Sequence, residues 1–164
     1  MNINLGCGER TTPGWTNVDR VKLPGVDVVH DLDRYPYPFD TSSADGVVMS
    51  HVLEHLTDVV RVMEEIHRIL RPGGTLELLV PHYQHANAYA DPTHKHFFTE
   101  DSMRYFTGES GYDFYTHVRF RVLERGVRLT NPATRFPKWH LRKWLRVRFK
   151  GRPYEIRWVL QAVK

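Results

Sequence analysis

Two groups of residues in this chain have types and spacing that suit chemistry. One is a set of carboxylates closing short apolar runs behind a Gly-x-Gly. The other is a group of histidines beyond the fourth such run. Gly6 and Gly8 follow Ile3-Asn4-Leu5 with only Cys7 between them. Glycines at a strand end let the backbone turn sharply and approach a ligand, because no Cβ stands in the way. Asp19 closes Trp15-Thr16-Asn17-Val18-Asp19, and Asp31 follows Val26–His30. Ligands of open α/β sheets sit beyond the carboxyl ends of the strands, so these four residues are expected to converge. Histidine titrates nearest neutrality and is the natural proton carrier; the candidates are His51, His55, His82, His85, His94 and His96. The His-x-x-His and His-x-His spacings of His82, His85, His94 and His96 fit metal ligation only loosely, no thiol supports them, and no metal is expected. The single cysteine, Cys7, permits no internal disulfide and reads as a small buried residue rather than a nucleophile.

The elements that must position these residues are mostly strands. Asn2–Leu5 is the first and Trp15–Asp19 the second. Only about nine residues join them, including the turn signal Thr11-Thr12-Pro13-Gly14. A parallel crossover normally takes a dozen residues or more, so the first crossover helix is missing or cut to a turn. Val26–His30 reads as a third strand buried on both faces. Tyr35–Phe39, with two prolines, is neither helix nor central strand. Ala44–Ser50 is a fourth strand. Asp58–Leu70 is a helix, with Val59, Val62, Met63, Ile66, Ile69 and Leu70 on one face and Pro72-Gly73-Gly74 at its end. Thr75–Val80 is a fifth strand, and Phe114–Thr130 and Tyr154–Val163 are an antiparallel pair closing the sheet. Glu54 reads as a structural residue at a helix start.

These elements make an α/β fold. It is a Rossmann-like, mostly parallel, three-layer sheet closed by a C-terminal antiparallel hairpin, with the first crossover helix missing or very short. Its 164 residues suit one domain. Residues 1–81 are its core, 82–113 a polar, histidine-rich cover, and 114–164 the hairpin with a basic insert. Residues 1–113 hold 9 Lys/Arg against 17 Asp/Glu, and residues 114–164 hold 14 against 2. Such asymmetry either recruits an anionic partner or holds the two parts together. Phe136–Lys150 reads as an amphipathic basic helix, within a tract (residues 135–152) that either packs on the sheet with a solvated charged face, the reading slightly favoured, or meets nucleic acid or an anionic membrane surface. No basic and apolar leader precedes the first strand, and a reducing cytosol is the expected compartment.

Asn4-Leu5-Gly6-Cys7-Gly8, Asn17-Val18-Asp19, His30-Asp31-Leu32, Ser50-His51-Val52-Leu53-Glu54-His55-Leu56 and Leu70-Arg71-Pro72-Gly73-Gly74 resemble, in order and spacing, the motifs of class I S-adenosylmethionine-dependent methyltransferases. The likeness covers roughly residues 2–100 and is nearest the branch acting on small molecules. It implies S-adenosylmethionine as cofactor and contacts from Leu5, Gly6, Cys7, Gly8, Asp19, Arg20, Asp31, Leu32, Ser50 and His51. Within that set Gly6 and Gly8 would let backbone amides approach the cofactor carboxylate, and Asp19 would accept from both ribose hydroxyls. Asp31 would hold the adenine amino group, with the Leu32 amide beside the ring, while Ser50 and His51 would line the methyl end.

Catalysis falls to His51 and to His94. The latter lies in Asp91-Pro92-Thr93-His94, a turn outside any hydrophobic pattern that is expected on the acceptor side. Asp33 is expected outside the site. Asn4 stands where the family usually has aspartate, and the glycine motif runs into Glu9-Arg10. The pocket is therefore more open on one side, or covered by residues 82–113. The implied acceptor is a small or glycan-like molecule. The alternative is a module binding RNA or membrane through the basic tract. A dinucleotide site is disfavoured, since the third glycine of G-x-G-x-x-G and its helix are absent. Methylation of base amino groups is disfavoured too, because Ser50-His51-Val52-Leu53 replaces Asn/Asp-Pro-Pro-Tyr.

Overall fold

Strand register decides which side chains share a face. The computed structural model describes residues 1–111, 114–130 and 152–164. β1 (Asn2–Leu5) lies between β2 (Thr16–Asp19) and β4 (Ala44–Ser50), parallel to both, and β3 (Val28–Val29) pairs beyond β2. α1 (Val59–Ile69) leads into β5 (Leu70–Pro81), which is parallel to β4. β7 (Pro153–Val163) and β6 (Arg119–Leu129) complete the order β3-β2-β1-β4-β5-β7-β6 as antiparallel strands. Ile3 pairs with Val47 and Leu5 with Met49; Val47 pairs with Leu76, and Met49 with Leu78. Leu76 and Leu78 in turn face Leu160 and Trp158. These form one continuous apolar face. Val62, Met63, Ile66 and Ile69 of α1 join the same core, as do Met103 and Phe106 of the turn Ser102–Phe106.

The opposite face carries Asn4, Asn17, Thr75, Glu77, Arg157 and Gln161. Of the three layers expected, the described residues thus show the sheet and one apolar layer. No helix lies between β1 and β2, as the short connection required. Two asparagines hold that connection instead. Asn4 Nδ2 donates to Arg10 O at 3.0 Å and to Asn17 Oδ1 at 3.1 Å. Asn17 Oδ1 also accepts from Thr12 N at 2.7 Å, and its Nδ2 donates to Thr12 O and Trp15 O. Both asparagines are buried. An asparagine with donor and acceptor both engaged is the side chain that can close a loop over a sheet in this way.

Several expected elements are corrected. β3 has two residues rather than five and is not buried on both faces: Val29 is 53% exposed. It is the sheet edge, and no crossover helix covers it. β5 starts directly at the helix end and passes through Pro72-Gly73-Gly74, with its register against β4 broken between Leu70 and Thr75. β6 begins at Arg119 rather than Phe114, and Phe114 and Tyr115 stand exposed. Val122 is exposed while Phe120 is buried, and the register against β7 shifts just beyond Val122. The basic helix of residues 136–150, and with it most of the 135–152 tract, lies outside the described residues. No helix of the described residues is long and apolar enough to cross a membrane.

Removing the Asn17 side chain strands the Thr12 amide and the Asn4 carboxamide. Asn17→Ala is expected to cost about 2–3 kcal/mol, since each buried group left unmade costs about 1–3. Denaturant titration checks this, and amide exchange should speed up selectively in residues 10–15. A pH effect comes from His67, whose Nε2 donates to Val163 O at 2.9 Å and whose ring meets Phe120 edge-on. Burial, aided by nearby Lys164, lowers its pKa below the ordinary value. Below about pH 6.5 the unfolded chain takes up this proton more readily than the folded one. This contribution is therefore present above about pH 6.5 and lost as pH falls. Melting curves of the wild type and His67→Gln should converge as the pH is lowered.

Candidate functional site

Where β1, β2 and β4 end, the backbone leaves the sheet and two clefts open. The first, about 590 Å³, is floored by Gly6 and walled by Asp19, Arg20, Asp31, Leu32 and Asp33, with His51, Val52, Thr93 and Lys95 on the far side. Gly6 has φ +68, and a Cβ there would collide with the Val52 side chain, so only glycine fits. The amides of Gly6 and Cys7 both donate to Val18 O, and the Gly8 amide donates to Asp19 Oδ2 at 2.8 Å. These bonds lock the glycine turn to β2. Asp19 Oδ1 accepts from Val21 N at 3.0 Å. Each Asp19 oxygen accepts one amide and keeps a second lone pair for a ligand.

The second cleft, about 660 Å³, shares His51, His55 and Pro92 with the first and adds Glu54, Asp91, His94, Tyr154 and Glu155. His51 leaves β4 with φ +56. Its Nε2 lies 2.8 Å from Glu155 Oε2 and its Nδ1 3.5 Å from Glu54 Oε1. The Glu54 carboxylate first, and Glu155 next, push its pKa up against the effect of burial. Arg128 in turn pairs with Glu155 at 2.8 Å. Both ring nitrogens of His51 therefore face carboxylates. It sits at the predicted strand end and lines both clefts.

His94 is held differently. Its Nδ1 donates to Ala88 O at 2.8 Å, its ring packs edge-on against His55 with centroids 4.6 Å apart, and the Nε2 lone pair remains available. Asp91 caps this turn through Thr93 N and Oγ1, and Lys95 N and His96 N both donate to Glu54 O.

Of the expected cofactor residues, the first cleft gathers Gly6, Asp19, Arg20, Asp31, Leu32 and His51. Leu5 and Cys7 are buried behind it, Ser50 stays half-buried in β4, and Gly8 reaches it only through its bond to Asp19. Burial, and then the Asp19 charge, raise the Cys7 thiol pKa, which suits an inert residue. Asp33 lines the cleft, contrary to expectation. Its carboxylate accepts from Thr57 N at 2.7 Å and Thr57 Oγ1 at 2.9 Å, and Lys95 Nζ stands 3.6 Å away. Against the opposing pull of burial, these partners lower its pKa. His82 is buried, with Nδ1 accepting from Gln84 N and Nε2 3.4 Å from Glu100; His85 Nδ1 accepts from Asn87 N. These two serve their own turns. Glu155 was missed. Its only sequence signal is a carboxylate among the apolar alternation of β7.

Residues 5–78 match the family model of a methyltransferase domain. A probable S-adenosylmethionine-dependent methyltransferase of Mycolicibacterium smegmatis is 40% identical over 63 residues, 38% of this chain and 24% of that protein. A demethylmenaquinone methyltransferase of Staphylococcus epidermidis is 35% identical over 57 residues, 35% of this chain and 23% of that protein. The chain thus spans about a quarter of the length of these curated relatives. Among solved structures, an S-adenosylmethionine-dependent methyltransferase of Methanosarcina mazei superposes with a TM-score of 0.62 at 18% identity. That alignment covers 99% of this chain and 92% of that one.

Proposed function

We propose that this chain, whose residues 5–78 match the family model of a methyltransferase domain, is a class I S-adenosylmethionine-dependent methyltransferase that transfers a methyl group to a small-molecule acceptor held in the second cleft. The observation that carries this reading is the meeting of two clefts at His51, His55 and Pro92, immediately beyond β4. A demethylmenaquinone methyltransferase among its relatives supports an acceptor of small-molecule size.

The first cleft fits S-adenosylmethionine by the chemistry of its donor set. Asp19 offers an ionised carboxylate whose remaining lone pairs suit vicinal ribose hydroxyls, and two amides already fix its orientation. Asp31 and Leu32 lie along the same wall for adenine. When bound, the cofactor supplies a methyl on a sulfonium, which is already an activated leaving group. The chain therefore mainly aligns the partners, a contribution that can reach about 7–11 kcal/mol when the reacting atoms are well oriented. His51, clamped between Glu54 and Glu155, forms the shared wall and fixes the position at which the clefts meet. His94 presents the free lone pair on the acceptor side and is the group placed to hold or take the acceptor's proton.

Titration calorimetry with S-adenosylmethionine and S-adenosylhomocysteine should show one site, with matching thermal stabilisation. Asp19→Ala should weaken both ligands by at least tenfold. Asp33→Ala should act less, because its carboxylate is already occupied by Thr57 and Lys95. Absence of heat and of stabilisation with both ligands overturns the reading. Separately, His94→Ala should leave cofactor affinity and melting temperature within a small margin of wild type, while removing turnover in a screen of small aromatic and polyol acceptors. A large stability loss would make His94 a structural residue.

A further inference from the structure

In the floor of the second cleft a buried carboxylate lacks the partners that burial demands. Glu54 is 1% exposed, and neither of its carboxylate oxygens has a hydrogen-bond partner. A carboxylate removed from water is strongly disfavoured unless a cation or several donors face it. Besides His51 Nδ1 at 3.5 Å, a distance too long for a good hydrogen bond, two further imidazoles face it. One donor atom from each of Glu54, His55 and His94 falls within 4.8 Å of the others.

The tautomers of both histidines follow from their other partners. A carbonyl oxygen only accepts, so His94 Nδ1 carries the proton it gives to Ala88 O at 2.8 Å, and Nε2 holds a lone pair. Thr93 Oγ1 donates to Asp91 Oδ1 at 2.7 Å. It is therefore an acceptor toward His55 Nδ1 at 2.8 Å, and His55 Nε2 is free as well. Histidines whose Nδ1–H is tied to a carbonyl or to a carboxylate relay, leaving Nε2 bare, are the usual form of a metal-ligating pair. Two imidazoles and one carboxylate suit a divalent first-row transition ion with open positions.

We propose that Glu54, His55 and His94 bind a divalent transition-metal ion in the floor of the acceptor cleft. Of the four histidines whose spacing suggested ligation, only His94 takes part; the other ligands come from the turn after β4. The open positions face the cleft and suit an anionic oxygen. With the ion bound the His94 Nε2 lone pair is a ligand and no longer a proton acceptor; an acceptor hydroxyl ligated there instead breaks its O–H bond more readily, the proton passing to solvent and the electron pair staying on oxygen. That role rests on the methyl-transfer reading; the ion site itself does not.

The full chain, stripped with chelator and titrated with Zn²⁺ by calorimetry, and with Co²⁺ by its visible absorption, tests the site. One equivalent of ion is expected, with Co²⁺ bands showing nitrogen and oxygen ligation. Glu54→Gln and His55→Gln should each weaken Zn²⁺ binding by at least tenfold, and His85→Gln should not. S-adenosylmethionine binding by each variant reports that it is folded, and also keeps failure of the ion site separate from failure of the cofactor site. Two results overturn the proposal. One is no stoichiometric binding by wild type, which would leave the His51 ring as the partner of Glu54. The other is binding that survives both Glu54→Gln and His55→Gln.

Discussion

The buried Glu54 carboxylate is the constraint around which the second half of the site is arranged. Its backbone oxygen accepts the amides of Lys95 and His96, fastening the Asp91–His96 turn to the exit of β4. Its side chain faces His51, and His51 reaches Glu155, whose other oxygen pairs with Arg128. One residue thus joins the end of a parallel strand, a distant loop and the antiparallel hairpin. The close pairs are those of the buried Glu155 carboxylate with His51 and Arg128, each at 2.8 Å, and breaking a buried pair typically costs about 3–5 kcal/mol, so the strand end and the hairpin do not shift independently. The two clefts consequently meet at a fixed wall rather than at a flexible one.

The first half of the site depends on a different device. A crossover helix would normally cover β1 and β2 and bring the glycine turn over the strand ends. Here Asn4 and Asn17 pair across the two strands and bind the loop by its backbone. The cost is exposure at the edge: β3 is reduced to two residues, and Val29 faces solvent. The gain is a glycine turn held to β2 by Gly6, Cys7 and Gly8 together, which sets the Asp19 carboxylate before any ligand arrives. Asparagine in place of the family's usual aspartate at position 4 follows from this arrangement, because a carboxylate could not donate to Arg10 O.

Much of this was legible in the sequence wherever pattern and local chemistry coincide. The run Leu5-Gly6-Cys7-Gly8, the carboxylates Asp19 and Asp31, the missing crossover helix and α1 follow from spacing alone. The cleft that Gly6, Asp19, Asp31 and His51 share is where open sheets place their ligands. The residues that escaped were set by tertiary partners. Asp33 lies two residues beyond the strand end that singles out Asp31, and Thr57, 24 positions on, holds its carboxylate at the cleft wall. Glu155 sits on the polar side of a strand whose apolar side gave the only visible signal. The ring nitrogens of His51 were committed to carboxylates 3 and 104 positions away, which no spacing rule reports.

The uneven charge of the chain finds part of its meaning here. Among the described residues, Arg125 pairs with Asp101 and Arg157 with Glu77, so the basic C-terminal part does meet the acidic N-terminal part. Such exposed pairs are worth about 0–1 kcal/mol each. Burying the Trp158 side chain against Leu78 and its neighbours contributes about 1.5–3 kcal/mol, if it counts as one large apolar side chain removed from water. The hairpin is therefore held to the parallel sheet by apolar register, and the arginines act mainly to orient it. Arg128 is the exception, because it pairs with Glu155 at the wall of the site. There one cation balances a buried carboxylate, and through it the charge of His51 is set against that of Glu54. The hairpin is for this reason part of the site and not merely a cap on the sheet.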